Sequence, residues 1–252
     1  MKVIQKLTII LLIVFTLSAC INNTEPSDHY QEGNSFLENY QYSLALEQYK
    51  LAINDKPGNP DAYLAAADIL MLKGDTEEAK EILVLAIEQA EPLAEIHERL
   101  GTIYLKQGDF QKALEYFNTG LEISPNYENL IKLKLDALSL LDLLDERVEY
   151  AKTINDDKLS QEMLLVKGII LFEDKELSLQ VLDEAKKGDN TAVADSANEA
   201  IASITSISAD EDTLFNMSQL SFTLLKYDYF EIALPLNNKI IESNEYYETG
   251  YL

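Results

Sequence analysis

Five spaced residues, Gly33, Ala45, Tyr49, Ala52 and Pro57, recur 68 positions later as Gly101, Ala113, Phe117, Gly120 and Pro125. An intermediate set, Ala67, Ala79, Leu83 and Ala86, holds the same offsets, so the chain repeats every 34 residues in units that begin near Pro26, Pro60 and Ala94. A helical bundle with accidental spacing does not agree with itself at so many offsets at once. Such a chain must fold as modules that each bury a face against the next.

Each recurring position has a mechanical use. In the first helix of a unit a small residue (Gly33, Ala67, Gly101) lets the second helix approach, and three positions on a larger one (Phe36, Leu70, Tyr104) fills the space beside it. Ala45, Ala79 and Ala113 do the same from the second helix, and Tyr49, Leu83 and Phe117 are expected to pack toward the next unit. Pro57 and Pro125 end the second helix, because proline cannot donate to its ladder. The turns Lys73-Gly74-Asp75 and Gln107-Gly108-Asp109 place a glycine for a left-handed helix end before an aspartate that caps the next helix. Asp75 with Glu78 reads as a capping box.

A 34-residue period with fixed small residues, two aromatic slots and a closing proline resembles the tetratricopeptide repeat. The resemblance implies an all-α fold, a right-handed α-solenoid of antiparallel helix pairs, and a non-catalytic protein interaction scaffold. It covers three regular units over residues 29–125, and residues 126–252 read as degenerate helical repeats. There, residues 126–141 with 144–155 and residues 160–173 with 176–187 form hairpins, with Leu135, Leu138, Ala151, Gly168 and Leu171 in the expected slots. An alanine- and serine-rich helix follows from Thr191 to Ile207, outside any clear register, and a last pair spans Asp212–Lys226 and Tyr229–Glu242. Ser243–Leu252, with Tyr246 and Gly250, resembles the opening of a further first helix, either a short cap or the start of a longer array.

At the other end Lys2 and Lys6 precede an apolar run from Leu7 to Phe15 and the sequence Leu17-Ser18-Ala19-Cys20, the layout of a secretory signal over residues 1–19. Leu-Ser-Ala-Cys resembles the lipobox of bacterial lipoproteins, which implies that Cys20 is acylated and becomes the first residue of the mature chain. Secretion with a free Cys20 and a retained membrane helix are the alternatives, but the run is short of the roughly 20 residues that a spanning helix needs. Cys20 is the only cysteine, so no disulfide or thiolate metal site can form within the chain. Each buried methylene of an acyl chain contributes about 0.8 kcal/mol, and two or three chains anchor stably. Residues 20–28, polar and proline-containing, would tether the first unit close to the bilayer.

The formal charge is −24, and loss of Lys2 and Lys6 with the signal leaves 18 basic against 44 acidic residues, or −26. Such a field excludes nucleic acid and anionic lipid headgroups as partners. His29 and His97, the only histidines, occupy the same slot two units apart, so they neither share a metal nor form a catalytic pair. Asp156-Asp157 and Asp210-Glu211-Asp212 lack the alternating ligands and central glycine of a calcium loop and sit where helices begin. No phosphate-binding loop, nucleophile elbow or zinc motif is present, so neither cofactor nor metal is implied.

The resemblance places binding on the concave face, lined by the first helices. The positions that point there are Tyr30, Asn34 and Leu37, then Leu64, Asp68 and Met71, then Glu95, Glu98, Thr102 and Leu105. One known use of this face is a clamp for a C-terminal carboxylate, built from two lysines, two asparagines and an arginine. Those places hold Tyr30, Asn34, Ala65, Glu95 and Arg99, of which only Asn34 and Arg99 match, so that ligand is rejected. A basic or neutral extended segment or a partner helix suits the mixed apolar and acidic lining. These features imply an extracytoplasmic, lipid-anchored adaptor with protein or peptide partners. The alternative is glycan capture, for which the chain offers 14 tyrosines but no tryptophan.

Overall fold

The computed structural model describes residues 28–206, 213–226 and 230–243, and every regular element among them is helical. Six helices make the first three hairpins: α1 (His29–Glu38) with α2 (Tyr42–Asp55), α3 (Pro60–Lys73) with α4 (Thr76–Gln89), and α5 (Ala94–Lys106) with α6 (Phe110–Ile123). Two further hairpins follow, α7 (Glu128–Leu140) with α8 (Leu144–Thr153) and α9 (Gln161–Ile170) with α10 (Lys175–Lys186). The described chain ends with α11 (Thr191–Ser206), α12 (Thr213–Lys226) and α13 (Phe230–Ser243). The expected signal, Cys20, most of the tether, Asp210-Glu211-Asp212 and the Tyr246–Gly250 stub lie outside the described residues.

The turn chemistry sets the boundaries. Gly74 and Gly108 take φ of 85° and 80°, the left-handed end that glycine adopts without strain. Asp109 caps α6 by accepting from Lys112 N at 3.1 Å, and Asn59 caps α3 with Pro60 in its first turn. The expected capping box at Asp75 does not form. Asp75 makes no side-chain cap bond and instead lies 3.4 Å from Lys73 Nζ, while Glu78 is drawn to Lys50 of the preceding unit. Asp156 also departs from a simple helix-start role. It lies in a short 3-10 turn, Asp156–Lys158, and accepts from Lys167 Nζ, which is buried and also donates to Ile154 O. A buried ammonium needs such partners.

Close approach of the helices within a hairpin depends on the missing side chain at the small position. A Cβ on Gly33 would lie 2.5 Å from Tyr49 Cε1, and one on Gly101 would lie 2.3 Å from Phe117 Cε1. Tyr49 and Phe117, expected to pack toward the next unit, thus also close on the glycine of their own unit, because that is where the backbone leaves a slot. Gly168 stands against Leu182 in the fifth hairpin in the same way, at 2.6 Å. Tyr49, Phe117 and Leu182 are fully buried.

Polar ties join successive first helices. Arg99 Nε on α5 donates to Asp68 Oδ1 on α3 at 2.7 Å, and its other nitrogen lies 3.1 Å from Glu98. Glu98, only 6% exposed, accepts from Tyr127 Oη and Asn129 Nδ2 at the start of α7. The chain Asp68, Arg99, Glu98 and Tyr127 therefore spans three units.

Beyond α7 the packing changes character. A single core runs from Ile131 and Leu135 on α7, through Leu165 and Ile169 on α9, to Leu220 on α12 and Ile240 on α13. The helix without a clear register, α11, buries Val193, Ala197, Ala200 and Ile204 in that core along one stripe. The last helix, α13, returns to pack on α7 and α9, the first helices of the fourth and fifth hairpins, so the second half closes on itself.

Two outcomes follow. Gly101→Leu should overpack unit three and cost about 2–3 kcal/mol, lowering the melting temperature by roughly 5–10 °C, whereas Gly58→Ala, with nothing within 4 Å of the new Cβ, should melt like wild type. An unchanged melt for Gly101→Leu would disprove the ring-in-slot packing. Glu98→Ala should cost about 1–3 kcal/mol in urea unfolding, because the groups it serves lose their acceptor in a partly buried site.

Candidate partner-binding groove

The first helices α1 and α3 leave an open cleft between them of about 370 Å³. Of the sequence-predicted positions, Tyr30, Asn34 and Leu37 from α1 and Leu64 and Asp68 from α3 line it together, with Ala65 of the rejected clamp beside them. Their common face follows from helical spacing, since residues three and four apart lie one above the other. Tyr42, Tyr49, Asp61, Ile69 and Leu72 complete the lining; Tyr49 is read from the sequence as a packing position, and the other four are not singled out there. Asp61 carried a weak signal, standing one unit before Glu95 at the same offset. Leu72 gave none, because an apolar residue at a helix end reads as core.

The cleft has one fixed wall and one adaptable one. Tyr49 Oη donates to Asn34 Oδ1 at 2.8 Å, which holds the amide in place, and the Tyr30 ring lies 5.7 Å from that of Tyr49. Burial first, and then the Asp61 charge, push the Tyr30 hydroxyl above its usual range, so it stays a protonated donor. Leu37 and Leu72 are 37% and 65% exposed and present apolar surface to the cleft. Asp61 adds negative charge beside them, whereas Asp68 is paired with Arg99.

The remaining predicted positions lie farther along. Met71 packs into the core of the first units, and Leu105 into the core around α6 and α7. Glu95 and Thr102 are half-buried on α5. Glu98 is the buried centre of the tie between units, and Arg99 is committed to Asp68 and Glu98. The Asp68 hydrogen bond holds the Arg99 guanidinium above its ordinary value, against the effect of burial. An arginine neutralised in this way is a poor receptor for a carboxylate, in line with rejection of the clamp. Burial also raises the Tyr127 hydroxyl, with further help from its bond to Glu98.

The two histidines do structural work of different kinds. His29 Nδ1 stands 2.8 Å from Gln48 Oε1. His97 is buried, 6.1 Å from the Tyr116 ring, and burial lowers its pKa, which keeps the imidazole neutral. No group of three metal-ligating side chains gathers among the described residues.

Comparison with known proteins bears on these residues. Models described as tetratricopeptide repeat match residues 36–100 and 94–127. The chain is 26% identical over 151 residues to the human protein O-mannosyl-transferase TMTC1, covering 57% of this chain and 17% of that protein. It is 36% identical over 70 residues to the bovine BBSome complex member BBS4, covering 27% of this chain and 14% of that one. The chain thus spans less than a fifth of either curated relative. Among solved structures, the C-terminal part of a TPR repeat-containing protein from Cytophaga hutchinsonii superposes with a TM-score of 0.52 at 13% identity, over 84% of this chain and 78% of that one. Residues 36–127 therefore carry tetratricopeptide repeats, and the described helices have the α-solenoid fold built from them.

Proposed function

We propose that this chain is a non-catalytic interaction scaffold, anchored by lipid on Cys20 to the extracytoplasmic face of a cell membrane, that holds a protein or peptide partner in the cleft of α1 and α3. The observation that carries the reading is the pairing of exposed Leu37 and Leu72 with the exposed carboxylate of Asp61 around one open cleft. A segment with an apolar residue beside a basic one complements that lining, burying the leucines while its cation meets Asp61. Assembly of an envelope, pilus or secretion complex is the kind of role such an adaptor serves. No helix among the described residues is long and apolar enough to cross a membrane. In this reading the acyl chains supply the membrane contact, and in a cell with two membranes Ile21 after the cysteine favours the inner leaflet of the outer one.

In-cell crosslinking of the full-length chain tests the reading, with Cys20→Ala and a cleft variant carrying Tyr30→Ala, Asp61→Lys and Leu64→Ala run in parallel. Glu98 is left intact because it ties units together. The expected result is a defined set of envelope proteins captured by wild type and lost in the cleft variant, with Cys20→Ala released from the membrane fraction. Capture of the same proteins by all three forms, or a Cys20→Ala chain that stays on the membrane, would overturn it.

A further inference from the structure

A second cavity, of about 330 Å³, lies between α8, α9, α12 and α13. Val148, Ile170, Leu220, Leu224 and Leu236 supply an apolar wall, and charged and amide side chains line the rest. Arg147 also lines it and is only 7% exposed. One guanidinium nitrogen donates to Ser139 Oγ at 3.2 Å, and the Nε–H has no acceptor. Burial pulls this guanidinium down to about 10, and the carboxylate that works against that pull is Asp136, which does not line the cavity. Asp142, Asp145, Glu173 and Glu242 also line it and are exposed, so they mark its solvent side.

The cavity is therefore bipolar: a cation inside, anions at the entrance and hydrocarbon between. A simple anion would be repelled at the mouth, and a simple cation would leave the Arg147 Nε–H without an acceptor, which is costly in a low-dielectric interior. A molecule with opposite charges at its two ends and an apolar body satisfies all three zones. We infer that this cavity binds a short apolar peptide by both termini, its carboxylate on Arg147 and its ammonium among Asp142, Asp145 and Glu242. The volume is at the small end of ligand pockets, about 300–1,000 Å³, which suits two or three residues. The site is separate from the cleft of α1 and α3.

Calorimetric titration of the full-length chain with the dipeptide Leu-Leu, its N-acetyl form and its C-terminal amide tests the assignment. Leu-Leu should bind, and each capped form should bind about tenfold more weakly through loss of one charge-assisted contact. Arg147→Met should bind the free acid and the amide alike, and Val148→Trp should fill the cavity and abolish binding while the helical circular dichroism is kept. No heat from Leu-Leu at millimolar concentration, or an amide that binds wild type as well as the free acid, overturns the proposal. If Arg147→Met fails to fold, the wild-type comparison of the three peptides decides alone.

Discussion

The structure depends on one steric requirement: the second helix of a hairpin must bring a bulky side chain onto the backbone of the first. Tyr49 on Gly33, Phe117 on Gly101 and Leu182 on Gly168 each occupy the space of the absent Cβ. The second unit meets the same requirement with a larger small residue and a smaller large one, Ala67 and Leu83, both fully buried in one core. Interiors packed to crystal density tolerate such volume-conserving exchanges far better than overpacking. From this one contact follow the angle of each hairpin and the stacking of hairpins into an array.

What the array does with its inner face differs between its halves. Along α1 and α3 the face is open, and its side chains are either held in place, as Asn34 is by Tyr49, or exposed, as Leu72 is. Asp68, Arg99 and Glu98 spend their charge on one another and on Tyr127, holding successive first helices in register while leaving the cleft acidic at Asp61. In the second half α13 lies on α7 and α9, and the chain covers its own first helices there. The open part of this face thus lies in the first half, and a distinct cavity arises where α13 closes the second.

The repeat made the hairpins legible in the sequence because glycine, alanine and proline report backbone geometry directly. Even the degenerate hairpins were legible from apolar spacing, and α12 and α13 fall within a residue or two of where that spacing puts them. The return of α13 was not legible. Long-range closure leaves no periodic mark, and the leucines and isoleucines of α13 read the same whether they face a neighbour or a helix six elements away. Cap chemistry failed at Asp75 for a similar reason, since Lys50 lies a unit away in space as well as in sequence and competes for Glu78. In the cleft, Tyr30, Asn34, Leu37, Leu64 and Asp68 were legible through the resemblance to the repeat family, whereas the burial of Glu98 depended on Tyr127 and Asn129, which the phase of α5 alone does not reveal.

The central claim is that an open stack and a self-closed half share one chain. Backbone hydrogen exchange, compared between wild type and an Ile240→Asp variant that drives a carboxylate into the α13 contact, tests it most directly, because Ile240 is fully buried there. The account predicts faster exchange in α7, α9 and α13 with α1 to α4 unchanged. Exchange in α7 and α9 that does not respond to the loss of α13, or a loss of protection spread evenly to α1, would contradict it.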